Sequence, residues 1–221
     1  TRSTPKKFRR RTITRTSDGI GDIFRFWALS SLAFTGPNVT GTRNVVMFSC
    51  TGKIKPIHYI STDAVFPNGM KNCSEDDNIE DNHTELNDGY SQSKWVAEQL
   101  ISRAGQKGLP VVIYRLGNMS GDRKQAFWNP QDFTLLVLQA CAKYGYAPDV
   151  DWNMEMTPVD FAAEFIVRCT FNLSTILGKT YHIINDQPLH SSSPGPKGQV
   201  SFSHHFASGI RRPASVVVRR R

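Results

Sequence analysis

Three short apolar runs constrain this chain more than any other feature: IKPIHYIS (54–61), VVIYR (111–115) and KTYHII (179–184). Each is too short for a buried helix and too continuous for a strand with one wet face. Strands that read this way are covered on both sides, the condition of a parallel sheet packed between helices. Longer segments of helical period separate them. The order strand, loop, helix, strand, helix, helix, strand predicts an α/β fold with a largely parallel sheet.

The helical segments carry their own boundary signals. GYSQSKWVAEQLI (89–101) places Trp95, Ala97, Leu100 and Ile101 on a buried stripe and leaves Gln92, Glu98, Gln99 and Arg103 free to be wet. Asp132 can cap FTLLVLQACAKYG. Thr157 is expected to start TPVDFAAEFIVRCTF, with Pro158 at the first position and Asp160 at the third. Pro37 and Asn38 mark a helix start, and DIFRFWALSSLAF (22–34) has an imperfect amphipathic period. The stretch from Pro67 to Gly89 reads as a loop too polar to enter the core.

Charge is unevenly spread. The chain of 221 residues has a formal net charge of +8, but residues 1–15 hold seven basic and no acidic residues, and 188–221 hold six basic and none acidic. The remaining 14 basic and 19 acidic residues give the middle a net −5. The folded part is therefore not built as a polyanion surface, and no specific nucleic-acid partner is expected. Residues 1–22 read as a basic disordered arm, 23–187 as the domain and 188–221 as a disordered basic tail. No apolar run reaches the eighteen or so residues of a membrane span, and no signal-type segment opens the chain, which points to the cytoplasm. The four cysteines have no metal-ligand spacing, so no metal is expected.

Tyr90 and Lys94 stand four residues apart and share one helix face. An ammonium beside a phenol favours the phenolate and lowers its pKa from about 10, the step that makes tyrosine a usable acid or base. Taken alone, the spacing also fits an ordinary polar patch. Thr62 ends the first strand and the turn beyond Arg115 ends the second, where open α/β sheets place their sites.

Five segments in order carry a resemblance: PNVTGT (37–42), HYISTDAVFP (58–67), YSQSK (90–94), YRLGNMSG (114–121) and PVDFAAEFI (158–166). Together they resemble an extended short-chain dehydrogenase/reductase. The thioester-reductase and male-sterility branch, found at the end of aminoadipate reductases and nonribosomal peptide synthetases, is the most similar. The resemblance implies a partial Rossmann-like, doubly wound parallel sheet and a cofactor, NADPH with NADH left open. It implies that Thr62 hydrogen-bonds the substrate carbonyl, Tyr90 donates the proton, and Lys94 lowers the phenol pKa and binds the nicotinamide ribose. Asn38 would stand near the proton path, and Ser61, Leu116, Gly117, Asn118 and Met119 would approach the cofactor. The implied substrate is an acyl thioester on a carrier protein or CoA, with a homodimer left open. Sugar-nucleotide epimerase/dehydratase or hydroxysteroid chemistry, and a non-catalytic truncated remnant or interaction protein with basic tails, are the alternatives. No strand followed by G-x-x-G-x-x-G precedes Asn38, so the chain is expected to lack the Gly-rich first half of such a domain and to bind dinucleotide weakly.

Two histidines, His58 and His182, lie within strands and are expected to pack rather than react. Phe127, Trp128, Met154 and Met156 are candidates for an acyl pocket or for ordinary core.

Overall fold

The computed structural model describes residues 34–70, 72–145 and 153–190. The basic arm, most of the 22–34 segment and the chain beyond 190 lie outside the described residues. A π-helical segment, Thr35–Thr40, runs straight into α1, Gly41–Cys50. The chain is already helical at Phe34, so Pro37 and Asn38 do not begin the helix.

The sheet holds three parallel strands in the order β1 (Ile57–Thr62), β2 (Val111–Leu116), β6 (Thr180–Ile183). Helix α2, Gly89–Gln106, makes the crossover from β1 to β2. Between β2 and β6 come β3 (Met119–Ser120), α3 (Phe133–Tyr144), β4 (Asn153–Met154), β5 (Thr157–Pro158), α4 (Val159–Thr170) and α5 (Leu173–Ile176). β3 pairs with β5 in parallel. The two-residue strand β7, Leu189–His190, pairs antiparallel with β4, so ordered pairing extends past residue 188, where the sequence suggested a tail.

The pleat of β2 divides the core. Val112 and Tyr114 face α4 and α5 in a cluster with Ala162, Cys169, Ile176 and Ile183. Val111 and Ile113 face α2 with Ile57, Ile101 and Leu109. The same alternation turns Ser61 and Arg115, register partners across β1 and β2, toward α2. There they meet Glu98, which is 2% exposed rather than wet; Gln99 is buried too. An arginine in a strand buried on both faces needs a carboxylate of its own, and that requirement overrides the amphipathic reading of the helix.

The loop after Pro67 also departs from expectation. Ile79 and Leu86 are buried, and Ile79 packs with Val65 and Phe66 under Trp95, whose indole N–H donates to the Ile79 carbonyl at 2.6 Å. Asp132 caps α3 as expected, accepting from the Leu135 N–H at 3.1 Å. Thr157 lies in β5, and Pro158 is the cap residue of α4, which puts Asp160 one position earlier than expected.

Candidate active site

The carboxyl ends of β1 and β2 and the first turns of α2 converge at one place. Thr62 is the last residue of β1 and lies beside Leu116, the last of β2. Asp88 caps α2, accepting from the Ser91 N–H at 2.8 Å and from the Ser91 hydroxyl at 2.6 Å. This fixes the turn on which Tyr90 stands. The Tyr90 phenol is hydrogen-bonded to the Thr62 hydroxyl. One turn further, Lys94 Nζ donates to the Ile60 carbonyl at 2.7 Å and lies 5.0 Å from the centre of the Tyr59 ring.

Burial raises the Tyr90 pKa above its usual value, the bond with Thr62 opposes this, and the charges of Asp63 and Asp88 add to the rise. The lowering expected from Lys94 is not among these influences: its ammonium is directed at the strand carbonyl, and the opposing effect of Thr62 leaves the phenol raised overall. Burial lowers the Lys94 pKa, while Glu98, one turn along the helix, raises it. Phe34 meets Tyr90 edge-on at 5.7 Å. Asn38 Nδ2 donates to Ser93 Oγ at 2.9 Å, and that hydroxyl donates to the Tyr90 carbonyl at 2.8 Å. Asn38 therefore touches the helix turn that carries Tyr90.

Four other sequence candidates lie at the end of β2 and the start of β3, with Gly117 and Asn118 forming the turn between them. The Gly117 N–H donates to the Ile183 carbonyl at 3.1 Å. The Asn118 N–H donates to the Glu155 carboxylate, and its side-chain amide donates to Thr134 Oγ1 at 3.0 Å. A Cβ on Gly117 would come within 2.5 Å of Glu155 Oε2, so only glycine lets the carboxylate close over this turn. Glu155 also accepts from the Thr157 hydroxyl and the Asn185 N–H, so one carboxylate ties the ends of β2, β5 and β6 together. Leu116 and Met119 pack against the core cluster under α4. Ser61 is not brought to the Thr62–Tyr90 cluster: its hydroxyl turns inward to Glu98.

A cavity of about 550 Å³ is lined among others by Asp63, Phe66, Met70, Arg115, Glu155 and His182, and none of Thr62, Tyr90 or Lys94 lines it. Phe127 is 77% exposed, and neither it nor Trp128, Met154 or Met156 lines that cavity. His58 Nδ1 hydrogen-bonds the Tyr114 hydroxyl at 2.8 Å, and His182 lies 3.3 Å from Arg115, both in packed positions. Among the described residues, no group of three or more His, Cys, Asp or Glu side chains could hold a metal ion, and no helix is long and apolar enough to cross a membrane.

Sequence reasoning missed Glu98, Glu155 and Asp88. Arg115 within VVIYR was the available signal for the first. The second had none, since the loop before β5 has no period to read.

The donor set at the cluster, a hydroxyl, a phenol and an ammonium at the carboxyl edge of a parallel sheet, fits the ribose and nicotinamide end of a dinucleotide. Glycine betaine reductase ATRR of Emericella nidulans is 37% identical over 165 residues, covering 73% of this chain and 13% of that protein. The L-2-aminoadipate reductase large subunit of Eremothecium gossypii is 32% identical over 160 residues, covering 66% of this chain and 11% of that protein. The chain thus spans a small part of the length of these curated relatives. Among solved structures, the terminal R domain from the myxalamid PKS-NRPS biosynthetic pathway superposes with a TM-score of 0.70 at 37% identity, over 75% of this chain and 42% of that one. The family model described as male sterility protein, an NAD-binding domain, matches residues 27–166, more than half of the chain. The chain belongs to the male sterility protein family of NAD-binding domains.

Proposed function

We propose that this chain carries the reacting cluster of an NADPH-dependent reductase whose substrate is an acyl thioester on a carrier protein or CoA. The observation that carries this reading is the Thr62 hydroxyl bonded to the Tyr90 phenol at the end of β1, with Lys94 one helical turn away. The names of the relatives, reductases of a betaine and of an amino acid and a terminal reductase domain of an assembly line, support the thioester branch over sugar-nucleotide chemistry.

The residues divide the work by chemistry. Lys94 would hold the ribose hydroxyls, with the Gly117–Asn118 turn beside the nicotinamide. When bound, the reduced nicotinamide supplies a hydride to the thioester carbonyl carbon. The Thr62 hydroxyl donates a hydrogen bond to the carbonyl oxygen and stabilises the charge that develops there. Tyr90 then gives that oxygen its proton. Burial keeps the phenol protonated across the neutral range, the state a donor requires. The resulting hemithioacetal breaks its C–S bond, yielding an aldehyde and a free thiol. Asn38, through Ser93, steadies the turn bearing Tyr90.

The test uses the native protein that bears this chain, supplied in turn with NADPH and NADH and with an acyl-CoA, a carrier-bound acyl thioester, UDP-sugars and steroids. The expected result is NADPH consumption with a thioester and release of thiol, lowered on the order of 10²–10⁴-fold by Tyr90→Phe. Consumption with a sugar nucleotide or steroid alone would overturn the reading.

A further inference from the structure

We infer that Glu98 is the positioning residue of this site, clamping α2 to β1 and β2 one residue behind Thr62 and Leu116 and so setting how Tyr90 meets Thr62 and where Lys94 lies. Its carboxylate bridges two neighbouring strands. Oε2 accepts from the Ser61 hydroxyl, while Oε1 accepts from Arg115 Nε at 2.9 Å and from its terminal nitrogen at 2.8 Å. Ser61 and Arg115 are register partners, and the next pair along the same ladder is Thr62 and Leu116. The clamp is dry: the Glu98 and Arg115 side chains are 2% and 5% exposed. Arg115 is fixed from behind by the Phe66 ring, 4.9 Å away, and by His182. A carboxylate held by three donors on two strands gives its helix little freedom to slide or rotate, and Tyr90 and Lys94 lie two turns and one turn before it on that helix.

Stability alone is a poor account of this pair, because a buried ion pair is often no better than apolar residues of similar volume. Its location is more informative. The groups against Lys94 are Tyr59 and the Ile60 carbonyl on β1 and Glu98 on its own helix; Arg115 on β2 lies beyond Glu98. Glu98 is the acid that works against the loss of charge that burial imposes on Lys94. The clamp thus keeps the ammonium both in place and charged. This role rests on reading Thr62, Tyr90 and Lys94 as the reacting cluster, yet it can be measured without turnover.

The experiment follows the Lys94 side chain by NMR in the full chain labelled at lysine, its signal assigned by loss in Lys94→Arg. Wild type is compared with Glu98→Gln combined with Arg115→Met, which removes both charges and leaves no buried ion unpaired. The double variant is expected to fold, judged by circular dichroism, with Lys94 titrating about one pH unit or more below its wild-type midpoint. Glu98→Asp keeps the charge but cannot reach both strands, and should shift the midpoint downward by less. An unchanged midpoint in the folded double variant overturns the inference. Should that variant not fold, Glu98→Asp decides: a downward shift supports the clamp and an unchanged midpoint overturns it. Failure of every thioester to react would count against the proposed reaction and leave this titration result standing.

Discussion

Tyr59 shows how strongly single positions in this site depend on their surroundings. Burial pushes its phenol from about 10 up to about 12, with Glu98 and Tyr90 adding to the rise and a hydrogen bond with Thr42 opposing it. A phenol harder to ionise in the fold than in the open chain stabilises the fold fully below pH 10. That contribution is lost as pH rises from about 10 through about 12, where the unfolded chain holds fewer protons than the folded one. Tyr59→Phe should therefore flatten the alkaline loss of stability, which for a shift of this size is on the order of 2–3 kcal/mol at most. Urea midpoints measured between about pH 8 and pH 12 on both proteins check this. A loss of the same steepness in the variant would mean that Tyr90 and Tyr114, whose phenols are also raised, dominate the effect.

At the scale of elements, helix α2 carries the site and its start is set by Asp88. Asp88→Ala should cost about 1 kcal/mol of stability by urea unfolding, while Asp88→Asn, an equally good cap, should cost little. Because Tyr90 stands in the first turn, the alanine variant should also lose more turnover than the asparagine variant. The elements themselves were legible in the sequence: the three strands appear where short apolar runs met polar ends, whereas the strand end at Thr62 and the helical spacing of Tyr90 and Lys94 also fit ordinary polar positions, and only the family resemblance singled them out. What could not be read was how helix and strand face each other. A helical wheel assigns Glu98 to water, and only the pairing of Ser61 with Arg115, set by strand register, turns that position into the inside of the fold. Glu155 was invisible for a similar reason, since the three N–H and O–H donors it holds come from Asn118, Thr157 and Asn185, which only the folded chain brings together.

Over the whole molecule, β2 joins the two halves of the core. Val112 and Tyr114 are fully buried toward α4 and α5, and Val111 and Ile113 are buried toward α2. Val112→Ala removes two methyl groups with little room for collapse and should cost about 2–3 kcal/mol. Because the strand is shared, the loss should appear equally at amides of α2 and of α4 in native-state hydrogen exchange; a loss confined to α4 would show that the halves open separately. The same central position has a consequence for synthesis. The partners of β2 are distant in sequence, Ile57 with Val111 on one side and Ile113 with Thr180 on the other. A ribosome adding about 5–20 residues per second needs roughly 3 to 13 s to make the 67 residues from Ile113 to Thr180. During that interval β2, the most apolar of the described strands, has one bare edge, so the nascent chain is most prone to aggregate, and most in need of a chaperone, after Thr62, Tyr90 and Lys94 have already been made.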